Sequence, residues 1–181
     1  MSPDTFADIM SGLDNTLIVV TTAEGHERAG CLVGFHAQSS MDPGRYAVWL
    51  SKANYTYRVA LRATHLGVHF LTSADQSLAD RFGTLTGDNT DKFAGLRVSP
   101  GAGGVPVLED IPHWVVLRRI ALLDEGGDHV CVTGEPVAAG SGGPFQPLRL
   151  SMVGHLVPGH GPRERPDPPT ERAAPQQAGP Q

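Results

Sequence analysis

The chain is poor in the groups that most often carry covalent or metal chemistry. It has only two cysteines in 181 residues, Cys31 and Cys131. Neither opens a Cys-x-x-Cys, so no zinc-type spacing exists. Both lie in apolar, strand-like runs. They read as small buried hydrophobes of a reduced, cytoplasmic protein, with a single disulfide as the alternative. The eight histidines form no glutamate-flanked pair, and the one His-x-x-x-His, His65 and His69, lies in a strand-like run rather than on a helix face, so no metal site is expected. There is no Gly-x-Ser-x-Gly. The Gly101 to Gly104 run follows a proline-ended loop rather than a strand, which removes the dinucleotide fingerprint. Charged residues make up 18% and the net charge is −5. A chain that tracks nucleic-acid phosphates is normally basic, so no nucleic-acid partner is expected. No apolar run approaches the ~18 residues of a membrane span, and the N-terminus lacks the basic-then-apolar pattern of a signal peptide.

Glycine, by contrast, is plentiful at 22 residues, as suits a β-rich chain with tight turns. Pro3 to Leu13 predicts a short amphipathic helix, with Phe6, Ile9, Met10 and Leu13 on one face. Leu17 to Thr22 is β-branched and predicts a strand. It is joined through Glu24-Gly25-His26-Glu27, a loop of several residues, to a second strand over Arg28 to Ala37. Met41-Asp42-Pro43-Gly44 is a turn, and Arg45 to Leu50 a third strand. Tyr55 to Thr64 predicts a helix capped by Asn54 or Thr56. Leu66 to Leu71 follows as a strand. Asp75 to Phe82 is a helix ended by Gly83. Residues 84–100 are irregular around an anchor at Phe93. Trp114 to Leu123 and Asp128 to Ala138 form a hairpin across Glu125-Gly126-Gly127, and Leu148 to Val157 is a last strand. From Pro158 on, seven of the 15 prolines and few apolar side chains predict a disordered tail, 158–181, after a single domain over 1–157. Six or seven strands joined hairpin to hairpin, with two or three short helices, argue for an antiparallel barrel rather than a doubly wound sheet.

Three polar clusters stand out. Gln38, Ser39 and Ser40 suit the edge of a planar ligand. Lys52-Ala53-Asn54-Tyr55-Thr56 suits a phosphate: a charge, directed hydrogen bonds and the amides of a helix start. Gly127-Asp128-His129 brings an imidazole to a hairpin tip. Each alone is equally an ordinary feature: serines facing water, a helix cap beside a solvated lysine, a Gly-Asp turn with an exposed histidine.

Their order and spacing are distinctive. Val19-Val20-Thr21-Thr22 is followed by Gln38-Ser39-Ser40-Met41-Asp42-Pro43, then Lys52-Ala53-Asn54-Tyr55-Thr56. Gln76 to Phe82, Lys92-Phe93, Val105 to Leu108 and Gly127-Asp128-His129 come after. From about Phe6 to Pro158 the chain resembles the flavin reductase family, the FMN-binding split-barrel proteins. It departs from that pattern at Asn54, where Ser is usual, and at Gly44, where a second Pro is usual.

The resemblance implies a mainly β, antiparallel Greek-key split β-barrel, and a homodimer with FMN near its interface. It implies that Ala37, Gln38, Ser39 and Ser40 line the flavin ring or ribityl chain. Lys52, Asn54 and Thr56 would meet the phosphate, and His129 would approach the nicotinamide. No residue is expected to act as acid or base. The implied activity is hydride transfer from NADH or NADPH to FMN, either bound or as substrate, with a flavin-dependent monooxygenase as a partner taking the reduced flavin. A split-barrel oxidoreductase using FMN or a deazaflavin on another substrate, or a non-catalytic flavin-binding protein, are the alternatives.

Overall fold

The computed structural model describes residues 3–156. The expected disordered tail, 158–181, lies outside them. The elements in order are α1 (Pro3–Ser11), β1 (Ile18–Glu24), β2 (Glu27–Val33), β3 (His36–Met41), β4 (Gly44–Ser51), α2 (Tyr55–Ala60), β5 (His65–Phe70), α3 (Gln76–Thr84), β6 (Val98–Pro100), β7 (Pro106–Leu108), β8 (Trp114–Leu123) and β9 (His129–Gly140). Seven strands make one antiparallel sheet in the order β2-β1-β5-β8-β9-β4-β3, and β6 and β7 form a separate pair. The mainly β, antiparallel expectation with three short helices is therefore met. Among the described residues no helix is long and apolar enough to cross a membrane.

The sheet is rolled, and chain connectivity demands it. β2 and β3 are its two edges, yet only Gly34 and Phe35 separate them. Three peptide steps reach at most about 11 Å, so the edges must come together at that end. The Phe35 carbonyl accepts from the Trp49 N–H at 2.9 Å, while β2 and β3 do not pair with each other. Inside the roll, alternate residues of several strands meet: Ile18 and Val20, Val48 and Leu50, Leu66 and Val68, with Leu117 and Val132. β1 is buried on its other face too. There Leu17 and Val19 pack with Ala79 and Phe82 of α3, and with Phe93, Leu108 and Leu148. That is why Leu17 to Val20 reads as an unbroken apolar run rather than an alternation. On the same outer side His69 is fully buried. Its Nδ1 donates to the Val19 carbonyl at 3.2 Å and its Nε2 accepts from the Leu108 N–H at 3.0 Å.

Several expectations are corrected. The β1–β2 connection is a two-residue turn, since Glu24 already pairs with Glu27; Gly25 turns the corner at φ +60°. The strand expected over Arg28 to Ala37 breaks at Gly34-Phe35, because its second half leaves β1 to pair with β4. α2 stops at Ala60, and its N-cap is Asn54, whose Oδ1 accepts from the Thr56 N–H at 3.2 Å. Gly83 does not end α3 but lies inside its last turn, where a Cβ would stand 3.0 Å from Leu32 Cδ2. The strand expected from Leu148 is a 3₁₀ turn over Leu150–Val153. Leu148 ties the end of β5 to the start of β1, donating to the Leu71 carbonyl and accepting from the Leu17 N–H, between isolated bridges of Pro147 to Thr72 and Arg149 to Thr16. Asp14 then draws the chain away by accepting from the Ser151 N–H at 2.8 Å. Both cysteines are free; Cys31 is buried as expected, but Cys131 is only half-buried. α1 keeps Phe6, Ile9, Met10 and Leu13 at least 40% exposed, so its apolar face has no cover within the described chain.

Candidate functional site

Where the chain crosses from β2 to β3, a cavity of about 420 Å³ opens. That falls within the roughly 300–1,000 Å³ of small-molecule sites. One wall is Cys31 to Phe35, the end of β2 and the two-residue link. Trp49 and Ser51 form the second, since they alternate with the core residues Val48 and Leu50 and so face out of the roll. His129 joins them because it pairs with Ser51 across the β4–β9 ladder, which puts both side chains on one face. The third wall is Phe82 and Gly83 of α3, with Lys92 beyond and Leu150 and Leu156 closing the side. Close packing holds that wall in place: a Cβ on Gly30 would stand 2.7 Å from Phe82 Cε1, so only glycine lets the ring approach β2.

The cavity is mainly apolar, and its polar atoms are unevenly satisfied. Among the described residues, Ser51 Oγ in the wall and Thr56 Oγ1 behind it are buried without a hydrogen-bond partner. Such atoms are rare in folded proteins, because leaving a buried polar group unpaired carries its full desolvation cost. Burial pushes the Cys31 thiol pKa up, and the neighbouring Lys92 ammonium and Thr56 hydroxyl oppose the rise. At the rim, His129 Nδ1 donates to Asp128 Oδ1 at 2.9 Å. That bond holds the Asp128 carboxyl below the usual carboxylate range and leaves Nε2 as the ring's other polar atom. Phe35 meets the His129 ring edge-on at 5.2 Å.

The residues singled out from sequence separate into groups. Asn54 and His129 line the cavity. Thr56 lies just behind the wall with its hydroxyl buried. Lys52 is ion-paired with Asp124 at 2.8 Å, and its N–H donates to the Asp128 carbonyl at 2.9 Å. It thereby ties down the β8–β9 turn that carries His129. Ala37, Gln38, Ser39 and Ser40 are not in the wall. They lie on edge strand β3, where Ala37, Gln38 and Ser39 are exposed. Ser39 is the extra residue of a β-bulge, and Gln38 Nε2 donates to the Ser40 carbonyl at 3.2 Å. Sequence reasoning missed Cys31 to Phe35, Ser51, Phe82 and Lys92. For Ser51 a signal existed: a small polar residue at the cavity-facing phase of an otherwise apolar strand.

Comparison with known proteins places the chain in a family. A Kitasatospora aureofaciens protein named flavin reductase (NADH) is 32% identical over 140 residues, covering 76% of this chain and 71% of that protein. The Mycobacterium tuberculosis reductase subunit HsaB of a flavin-dependent monooxygenase is 25% identical over 134 residues, 74% of this chain and 70% of that one. A relative from Rhizobium meliloti is 26% identical over 143 residues, and there the chain spans only 44% of the relative's length. Among solved structures, a flavin reductase domain protein from Arthrobacter sp. FB24 shares the fold with a TM-score of 0.72 and 23% identity, over 81% of this chain and 89% of that one. The family described as flavin reductase like domain matches residues 10–150, a span that contains every wall of the cavity except Leu156. Through that match the chain belongs to the flavin reductase-like domain family.

Proposed function

We propose that the protein is an oxidoreductase that binds FMN in this cavity and passes hydride from NADH or NADPH to it. The observation that carries the reading is the pair of orphaned hydroxyls, Ser51 Oγ and Thr56 Oγ1, beside an apolar cavity with a histidine at its rim. A flavin has both halves of that character: a broad apolar ring system and a polar, phosphorylated chain. The fit is therefore good on the donor set itself. Flavin, when bound, supplies the hydride-accepting chemistry.

This chain's residues then bind and align. Trp49, Phe35 and Phe82 offer apolar surface to a planar ring, and the main chain of 31–35 offers amides and carbonyls at its edge. Ser51, Asn54 and Thr56 take the polar end. His129, held by Asp128, stands where a nicotinamide can enter. No side chain has to gain or lose a proton for hydride transfer, so the work of the site is alignment and exclusion of water. The relative named as a monooxygenase reductase subunit supports an oxygenase as the consumer of reduced flavin. The uncovered apolar side of α1 and the open edge of β3 support a homodimer.

The test is an anaerobic titration of the protein and FMN with each nicotinamide, following the visible absorbance of the flavin. Bleaching with NADH or NADPH is expected; a flavin that binds but does not bleach reduces the protein to a carrier. His129→Ala should raise the KM for the nicotinamide and spare FMN affinity, as measured by steady-state kinetics and fluorescence titration. The reverse pattern would move His129 to the flavin.

A further inference from the structure

Lys92 is the single Lys, Arg, Asp or Glu that the fold buries among the described residues, at 4% exposure. Its Nζ donates to the Phe82 carbonyl at 3.0 Å, a neutral acceptor at the end of α3. Among the described residues it forms no ion pair. Asp88, whose charge acts on it, is engaged by Arg58. An ammonium removed from water with no counter-charge is costly, and burial indeed pushes its pKa down. Among the described residues that carbonyl is its one hydrogen-bond acceptor, and the centroid of the Phe82 ring lies 6.0 Å from Nζ.

Its position matters as much as its burial. Lys92 lines the apolar cavity on one side and a second, more polar cavity, with Arg28, Tyr55 and Asn89, on the other. Cys31 is the link to the orphaned hydroxyls, since both Lys92 and Thr56 act on its thiol. The buried ammonium and the buried Thr56 hydroxyl thus lie beside one thiol in the cavity wall. The other lysine of the region, Lys52, is already paired with Asp124.

We infer that Lys92, rather than Lys52, is the counter-charge for the phosphate monoester of the bound flavin, with Thr56 and Ser51 hydroxyls as its neutral companions. This rests on the flavin reading above. A permanently buried cation calls for a permanently charged ligand group, and in FMN that group is the phosphate, whereas the oxidised ring is neutral. The geometry also carries a cost for the ligand-free protein, which holds the ammonium uncompensated.

The experiment compares FMN with riboflavin, which lacks the phosphate, in equilibrium titrations of wild type, Lys92→Met, Lys92→Arg and Lys52→Met. Wild type should prefer FMN. Lys92→Met should lose about tenfold to a hundredfold in FMN affinity, the range for a lost hydrogen bond to a charged group, with riboflavin changed by less than about twofold. Its ligand-free melting temperature should rise, because an unpaired buried charge has been replaced by an apolar chain of similar shape. Lys92→Arg should restore most of the preference, and Lys52→Met should leave the FMN-to-riboflavin ratio unchanged. If Lys92→Met does not fold, Lys92→Gln supplies the same comparison. A Lys92→Met or Lys92→Gln protein that keeps the wild-type ratio overturns the assignment alone. A wild-type protein that binds neither ligand overturns the flavin reading and the assignment with it.

Discussion

Gln38 to Ser40 and Ser51 to Thr56 look alike as sequence. Each is a short polar cluster at the end of an apolar or mixed strand, and only ten residues separate them. The structure treats them in opposite ways. The first lies on the free edge of the sheet, largely exposed, with a bulge at Ser39. The second turns under the sheet, and two of its hydroxyls are buried without a partner. The lesson is that polarity does not mark a ligand site; polarity that has been taken out of water and left unpaired does.

The largest effect that would sharpen the contrast is on the apolar wall. Phe82 is almost fully buried, lines the cavity and packs edge-on against Phe93 at 5.5 Å. Phe82→Ala should cost about 3–5 kcal/mol in stability, measured by urea unfolding. Met41, on the edge strand, is 87% exposed, and Met41→Ala should change stability by less than about 0.5 kcal/mol. Similar losses at the two positions would show that β3 is packed against something and is no free edge.

The next effect separates satisfied from unsatisfied burial. His69 is as buried as Thr56, but both its ring nitrogens are bonded. Burial pushes its pKa from 6.5 down to about 4. The neutral ring is the folded form, so the unfolded chain takes up the proton first as pH falls. The stability that His69 contributes is fully present above about pH 6.5 and is lost progressively towards pH 4, by up to about 3 kcal/mol. His36, also pushed down by burial, acts in the same direction. Urea midpoints measured from pH 7 to pH 4 should fall accordingly, and a flat profile would contradict a neutral buried His69. Thr56→Val should behave differently at constant pH. Removing an orphaned hydroxyl should leave the ligand-free protein as stable or more so, while FMN binding weakens by about 1–2 kcal/mol. Loss of stability without loss of FMN affinity would make Thr56 a structural group only.

The sequence carries the strands well because their signals are local. Val19 to Thr22, Trp114 to Leu123 and the Gly126 turn declare themselves by β-branching and turn chemistry. What it hides is set by distant contacts. Nothing in Glu27 to Met41 says that the chain must jump between sheet edges at Gly34, because that jump is a property of the whole roll. Lys92 looks like any loop lysine until Phe82, ten residues back, and Cys31, far off in sequence, enclose it. Lys52 looks like a phosphate ligand until Asp124 is seen to hold it. Asn54 and His129 were legible because a cap and a hairpin base are fixed by their immediate neighbours.

The smallest expected effect is the most discriminating for β3. Gln38 donates to a carbonyl on its own strand and touches no wall of the cavity. In a single copy of the chain, Gln38→Ala should therefore leave the FMN dissociation constant within about twofold, since an exposed hydrogen bond contributes little. If the affinity instead drops by tenfold or more, the group that Gln38 meets must come from outside this copy. A drop that depends on protein concentration would point to a second copy bringing its cavity against the open β3 edge. The same measurement thus decides whether the exposed cluster is merely a strand rim or the far side of another molecule's site.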